Sequence, residues 1–70
     1  MEKVTIETET INLDQFLKWA NLVSTGGEAK NIIQAGKIKV NQEIETKRSR
    51  TLNVGDISEY DRNRYKIVAS

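Results

Sequence analysis

The sequence predicts an α+β fold in which a two-helix hairpin packs on a small, mainly antiparallel sheet. Two helix start signals lie near residues 12 and 25, and after Gly36 the spacing of apolar residues changes from a helical period to a period of two. The chain has 70 residues, no proline and no low-complexity tract. We therefore expect one domain over residues 1–70 with one thin core.

The first predicted elements are a short strand and a short helix. Residues 4–7 alternate apolar and polar side chains, which predicts a strand. A helix is predicted over about residues 13–20, with Asn12 as its N-cap and Gln15 closing a capping box. Apolar residues at helical spacing form one face of this helix: Leu13, Phe16, Leu17 and Ala20.

The second helix repeats this start signal, with Thr25 as N-cap and Glu28 three residues later. We expect it to end at Ala35, because Gly36 suits the left-handed conformation that follows many helices. About four residues connect the two helices, and so short a connection favours a helix hairpin.

Two β-hairpins are predicted after the helices. Their strands are residues 37–40 with 43–45, and residues 57–60 with 64–68. The alternation in the first hairpin predicts which side chains face the helices and which face water: Ile38, Val40 and Ile44 inward, Lys37 and Lys39 outward.

The composition excludes several kinds of chemistry. The chain has no cysteine and no histidine, so it lacks a thiolate nucleophile, a disulfide framework and the usual zinc ligands. So small a fold rarely encloses a cleft that shifts carboxylate pKa values, and we expect a binding module without catalysis, metal, cofactor or small-molecule substrate. Apolar runs of two or three residues cannot span a bilayer, and no export signal is evident, which together predict a cytoplasmic protein without a membrane role.

The charge is unevenly distributed along the chain. Overall, 11 basic residues nearly balance 10 acidic ones, for a net charge of +1. Residues 1–17 hold one base and four acids (net −3), residues 18–50 hold seven bases and three acids (net +4), and residues 51–70 are neutral. The middle segment is therefore a candidate basic patch, and a patch of this kind attracts phosphates.

Helical geometry groups several of these bases. Lys30 and Gln34 project from one exposed flank of the second helix, and that flank leads to Lys37. Lys39 follows on the solvent side of the hairpin, and a basic loop over residues 47–50 adds three more cations: Lys47, Arg48 and Arg50.

These residues carry a resemblance to the S4-type RNA-binding domain, over about residues 11–60. The matching order is Leu13-Asp14-x-x-Leu17, then Ser24-Thr25 with Ala29-Lys30, then Ile33-x-x-Gly36-x-Ile38-x-Val40-Asn41, and finally Leu52-x-x-Gly55-Asp56-x-x-Glu59-Tyr60. No catalytic domain is attached, so the chain looks like the small stand-alone bacterial members of the family. The resemblance implies the S4-like architecture, or αL motif, with a concave basic surface presented to structured RNA.

By position, the resemblance implies RNA contacts at the start of the second helix, on the lysines, in the hairpin turn and in the basic loop. These positions are Ser24, Thr25, Lys30, Lys37, Lys39, Asn41, Lys47, Arg48 and Arg50. Gly26 and Gly27 have two readings of similar weight: close approach of their backbone N–H groups to a phosphate, or a flexible turn.

The chain departs from the family pattern in the hairpin turn. Gln42 stands where the family commonly has glycine, at a cost of roughly 1 kcal/mol if the turn needs a positive φ. Trp19 lies at the edge of the apolar stripe of the first helix, and a partly buried core position is favoured over stacking on a base. Tyr60 and Tyr65 are expected to belong to the sheet.

The sequence thus predicts a monomeric, non-catalytic RNA-binding protein. Its expected partner is structured RNA, either ribosomal or transfer RNA, which it could bind on a ribosomal subunit. Its expected role is in ribosome assembly or translation. The acidic first segment should point away from the RNA. The alternative is a protein interaction module that uses the sheet edge or the acidic N-terminal face.

Overall fold

The computed structural model describes residues 1–70 and has two helices and seven strands. In chain order they are β1 (Glu2–Ile6), β2 (Thr10–Asn12), α1 (Leu13–Trp19), α2 (Gly26–Gln34), β3 (Ile38–Val40), β4 (Glu43–Ile44), β5 (Thr51–Asn53), β6 (Ile57–Tyr60) and β7 (Asn63–Ala69). The predicted α+β class, with two helices and a mainly antiparallel sheet, is confirmed. Neither helix has the length and apolar character needed to cross a membrane.

The main sheet has five strands in the order β1-β7-β6-β3-β4. Its pairs are antiparallel except β1 with β7, which run parallel. Strands β2 and β5 form a separate antiparallel pair in which Ile11 lies opposite Leu52. This pair was not predicted, because three residues are too few to establish a period of two.

The core lies between the helices and one face of the main sheet. Its twelve buried apolar residues come from both helices, the α1–α2 connection and four strands: Ile6, Leu13, Phe16, Leu17, Val23, Ala29, Ile33, Ile38, Val40, Leu52, Tyr65 and Ile67. The helices therefore cover one sheet face, and the other face is open to solvent. Tyr65 belongs to the sheet as predicted, and Tyr60 packs partly buried beside the core.

The capping box predicted for α1 is wrong. Asn12 occupies the N-cap, but its side chain makes no capping hydrogen bond. Instead, the backbone N–H of Leu13 donates to the Arg50 carbonyl at 2.8 Å, and the N–H of Asp14 donates to the Arg48 carbonyl at 3.1 Å. The β2–β5 pairing brings the loop carbonyls to the helix start, where they satisfy first-turn donors that side chains usually cap.

The start and end of α2 agree with the sequence prediction. The N–H of Glu28 donates to Thr25 Oγ1 at 3.1 Å, and Glu28 Oε1 accepts from the N–H of Ser24 at 2.7 Å. At the other end Gly36 has φ +76°, and the N–H groups of Gly36 and Lys37 donate to the carbonyls of Ile33 and Ile32. This is the Schellman arrangement that a glycine after a helix favours.

The β3–β4 hairpin turns through two left-handed residues, Asn41 at φ +51° and Gln42 at φ +73°. The resulting register places Lys39 opposite Ile44, so both side chains point to the open sheet face. Ile44 is 61% exposed, and the expectation that it faces the helices is wrong. The physical reason is the two-residue turn, since paired residues of adjacent strands share one face.

Trp19 differs from its predicted core position. It is 56% exposed, and its indole N–H donates to the carbonyl of Thr5 in β1 at 2.7 Å. Because β1 lies at an edge of the sheet, this hydrogen bond occupies a backbone acceptor on the unpaired side of that strand. The tryptophan therefore covers a sheet edge and does not fill the core.

Candidate nucleic-acid interface

The structure distributes the predicted RNA-contact residues over three places. Ser24, Thr25, Gly26, Gly27, Lys30 and Lys37 lie along α2 and at its two ends; Lys39 and Asn41 lie in the β3–β4 hairpin; Lys47, Arg48 and Arg50 lie in the loop before β5. The three groups differ in what their polar atoms already contact.

The first turn of α2 presents free backbone donors. The N–H groups of Gly26 and Gly27 donate to no acceptor in the chain, whereas the N–H of Glu28 is satisfied by Thr25. A Cβ placed on Gly26 would meet nothing within 4 Å, so the space beside these donors is open. The N–H of Ser24 is already bound to the Glu28 carboxylate, which leaves its hydroxyl as the free group at that position.

Two exposed lysines continue this surface along α2. Lys30 lies in the second turn and Lys37 directly follows the C-terminal cap, and neither belongs to an ion pair. At a rise of about 1.5 Å per residue, α2 is roughly 12 Å long from Gly26 to Gln34, and Lys37 lies just beyond its end. The α2 surface, which we define as Thr25, Gly26, Gly27, Lys30 and Lys37, is therefore one continuous strip with free donors at one end and free cations along it.

Asn41 is held by internal hydrogen bonds. Its side-chain amide donates to Asp56 Oδ1 at 3.1 Å, and its Oδ1 accepts from the N–H of Ile57 at 3.0 Å. Asp56 also accepts from the N–H of Asn53 at 2.8 Å. The Val-Asn string and the later Gly-Asp of the sequence thus contact each other, and the Asn41 amide joins two turns.

Lys39 is not on the same side of the molecule as α2. It lies opposite Glu59 of β6 and Ile44 of β4, on the sheet face that the helices leave open. Its neighbours in β3, Ile38 and Val40, are buried beneath the helices. The structure therefore places Lys39 on a different face from the α2 helix, two residues beyond Lys37 at the end of the α2 surface.

Both arginines of the basic loop have carboxylate partners. Arg50 Nη1 donates to Glu45 Oε1 at 2.7 Å, and Arg48 Nε lies 3.5 Å from Asp14 Oδ2. The hydrogen bond from Arg50, followed by that from the N–H of Lys47, holds the pKa of Glu45 below its ordinary value. Sequence reasoning missed these pairs because the loop has no periodicity from which to align Glu45 with Arg50. Lys47 is exposed and outside any ion pair.

The acidic first segment lies mainly at the opposite edge of the sheet from the hairpin. β1 and β4 are the two edge strands, and Glu7 follows β1. Glu7 also lines a groove of about 300 Å³ with Gln15 and the exposed Trp19. Asp14 is the exception, because it reaches the basic loop through Arg48.

The fold and these surfaces define a small α+β binding module that presents a strip of donors and cations along its second helix. The chain belongs to the S4 domain family, whose model matches residues 4–68. It is 41% identical over 58 residues to a protein of Bacillus subtilis described as a probable ribosome maturation protein, RlbA. The match covers 83% of this chain and 82% of that protein.

A solved structure supports the fold. The 30S ribosomal protein S4e of Thermoplasma acidophilum superimposes with a TM-score of 0.64 over 86% of this chain, at 17% identity. The match covers 32% of that ribosomal protein, so this chain corresponds to about a third of its length. At this identity the likeness concerns the fold alone. Family membership supports an RNA-binding role.

Proposed function

We propose that this protein is a non-catalytic RNA-binding protein that recognises structured ribosomal RNA through the α2 surface. The observation that carries the proposal is the first turn of α2, where two backbone N–H groups without acceptors open onto free space beside exposed lysines. Helix N-termini with free donors suit phosphate groups, and lysines add attraction that does not depend on sequence.

The basic loop has a different part in this mechanism. Because Arg48 and Arg50 are paired with carboxylates, their net attraction for phosphates is smaller than their number suggests. Their carbonyls instead hold the start of α1. We infer that the loop contributes Lys47 to RNA binding and otherwise keeps α1 and α2 in place.

A role in ribosome maturation is the setting that the B. subtilis relative suggests, and this chain matches most of that relative's length. We propose that the protein binds ribosomal RNA during assembly of a subunit and acts as a monomer of one S4-like domain. Cosedimentation with subunit precursors on sucrose gradients tests this setting, and recovery only in the free-protein fractions would contradict it.

The test of RNA binding is a salt titration with ribosomal RNA hairpins. If about four to six phosphates are engaged, log K against log salt should have a slope of roughly −3 to −5. Replacing both Lys30 and Lys37 by glutamine should weaken binding and make the slope shallower by roughly 1.5 to 2. A wild-type slope near zero would overturn the proposal.

The matched control is the pair Gln15→Glu and Ser70→Glu. It lowers the net charge by the same two units, but both positions are exposed and line grooves shared with Glu7. This control should keep most of the wild-type affinity. Equal weakening by the two double variants would mean that net charge, and not the α2 surface, governs binding.

The alternative of a protein interaction module at a sheet edge has less support. One edge strand, β4, has only two residues, and the other, β1, has its Thr5 carbonyl occupied by Trp19. Short or covered edges are poor templates for an added strand.

A further inference from the structure

The solvent-exposed face of the main sheet carries a second group of positive charges. The alternation along the strands places on this open face Lys3 and Thr5 of β1, Arg64, Lys66 and Val68 of β7, Ile57 and Glu59 of β6, Lys39 of β3, and Ile44 of β4. Four of these residues are basic and one is acidic. The bases come from distant parts of the chain, so segment counts along the sequence did not reveal them.

Two of these lysines are direct neighbours. In the parallel pairing of β1 with β7, Lys3 lies in register with Lys66, and both are exposed. Adjacent strands are about 4.8 Å apart, and like charges at paired positions destabilise a sheet. Neither lysine belongs to an ion pair, so no carboxylate offsets this repulsion. A bound phosphate would offset it.

A second row of charge crosses the same face. Lys39 lies opposite Glu59, and Glu59 lies opposite Arg64. Arg64 Nε approaches Glu59 Oε1 at 3.4 Å, so the one acidic residue of the face pairs with Arg64, and Lys39 belongs to no ion pair. The face therefore keeps a net charge of about +3 across its width, and this exceeds the net charge of +1 of the whole chain.

We propose that the open sheet face, centred on Lys3 and Lys66, is a second RNA-binding surface. With it the protein binds a second RNA segment and bridges it to the one held by the α2 surface. The proposal rests on the proposed function for the identity of the polyanion. RNA fits better than a lipid surface, because this face offers three lysines and an arginine, and the exposed Trp19 at its β1 edge is held by the Thr5 carbonyl.

The two surfaces can act independently. The helices and the core separate α2 from the centre of the open face at Lys3 and Lys66, and the molecule is 18 Å across in its thinnest direction. The two surfaces come nearest at Lys37 and Lys39, which are two residues apart. The Debye length at physiological ionic strength is about 8 Å, so charge on one face is largely screened from the other. Removing the lysines of one face should therefore leave binding at the other nearly unchanged.

The experiment is a capture assay with two RNA molecules. One ribosomal RNA hairpin is immobilised, the protein is added, and retention of a second, labelled hairpin is measured. Wild-type protein should retain the second hairpin. The variant Lys3→Gln/Lys66→Gln should bind the immobilised hairpin with less than a twofold change in affinity. It should retain at most a quarter of the labelled hairpin that the wild type retains. The control Gln15→Glu/Ser70→Glu, with the same change in net charge, should retain it.

The outcomes separate this inference from the proposed function. If wild-type protein binds one hairpin but retains no second, or if Lys3→Gln/Lys66→Gln retains it fully, the second surface is overturned and the α2 surface stands. If wild-type protein binds no RNA at all, the proposed function itself fails. Binding to phosphatidylserine vesicles that is lost in Lys3→Gln/Lys66→Gln, without capture of a second RNA, would assign the face to a membrane and overturn the inference.

Discussion

The Asn41 side chain donates a hydrogen bond to the Asp56 carboxylate at 3.1 Å, across 15 residues of sequence. The same Asn41 accepts from the N–H of Ile57, and Asp56 accepts from the N–H of Asn53. These bonds join the left-handed turn of the β3–β4 hairpin to the turn that precedes β6. Two of the motif fragments that supported the family resemblance, one ending in Asn41 and one containing Asp56, are therefore in direct contact.

Replacing Asn41 by alanine should lower the free energy of unfolding by about 1–2 kcal/mol, because two hydrogen bonds are lost and asparagine tolerates a positive φ better than alanine. Asp56→Ala should have a similar effect. In urea denaturation the double variant Asn41→Ala/Asp56→Ala should lose less free energy of unfolding than the two single variants lose together. The difference, which is the coupling energy, should be at least about 0.5 kcal/mol. Strict additivity would contradict the contact.

Gln42→Gly should stabilise the protein by about 0.5–1 kcal/mol, because Gln42 adopts φ +73° and glycine reaches this region without a Cβ clash. Thermal or urea unfolding measures the change. Gly36→Ala is the opposite control: at φ +76° it should destabilise by about 1 kcal/mol, although the added Cβ would lie at an ordinary 3.7 Å from Ile44 Cγ2. A destabilising Gln42→Gly would mean that its side chain contributes more than the strain costs.

Stability should fall at acidic pH partly through Glu45. Its pKa is lowered in the folded state, chiefly by the Arg50 hydrogen bond, so its contribution is complete above the ordinary glutamate pKa of about 4.3. The contribution is lost as the pH falls through the lowered pKa. Urea unfolding from pH 7 to pH 3 should therefore show a smaller loss for Glu45→Gln than for the wild type. Glu43→Gln, at an exposed position of β4, is the matched control. Parallel curves for Glu45→Gln and wild type would contradict the prediction.

Ser58→Ala should raise the free energy of unfolding by up to about 1 kcal/mol. Ser58 is 1% exposed in β6, and its hydroxyl has no hydrogen-bond partner. On folding, the hydroxyl therefore loses its hydrogen bonds to water and gains none within the protein. Ser24→Ala, at an exposed position, should change stability by less than about 0.5 kcal/mol. A loss of stability in Ser58→Ala would show that the hydroxyl is satisfied in solution.

Trp19→Phe should destabilise the protein by about 1 kcal/mol, because phenylalanine cannot donate to the Thr5 carbonyl. RNA affinity should change by less than twofold, since Trp19 lines a groove with Glu7 and not with the lysines. Denaturation and RNA titration of the same variant measure the two effects. A tenfold loss of RNA affinity with unchanged stability would instead favour stacking of this side chain on a base.

The starts of the two helices show which helix caps can be predicted from neighbouring residues and which cannot. The start of α2 followed its prediction because the Thr25 and Glu28 bonds connect residues three or four apart. The start of α1 did not, although its signal looked equally complete, because its donors bind carbonyls more than thirty residues away. For the candidate site, the sequence identified the exposed lysines of α2 but could not show that the loop arginines were already paired.

The sequence by itself determined the α+β class, the two helices, the two hairpins and the residues that resemble the S4 domain. These features depend on periodicity, caps and turns within a few residues. Only the tertiary structure decided that β1 pairs with β7, that Lys39 faces away from α2, and that Lys3 lies beside Lys66. Strand order and register join distant segments, and a period of two says which side chains share a face but not which strands are neighbours.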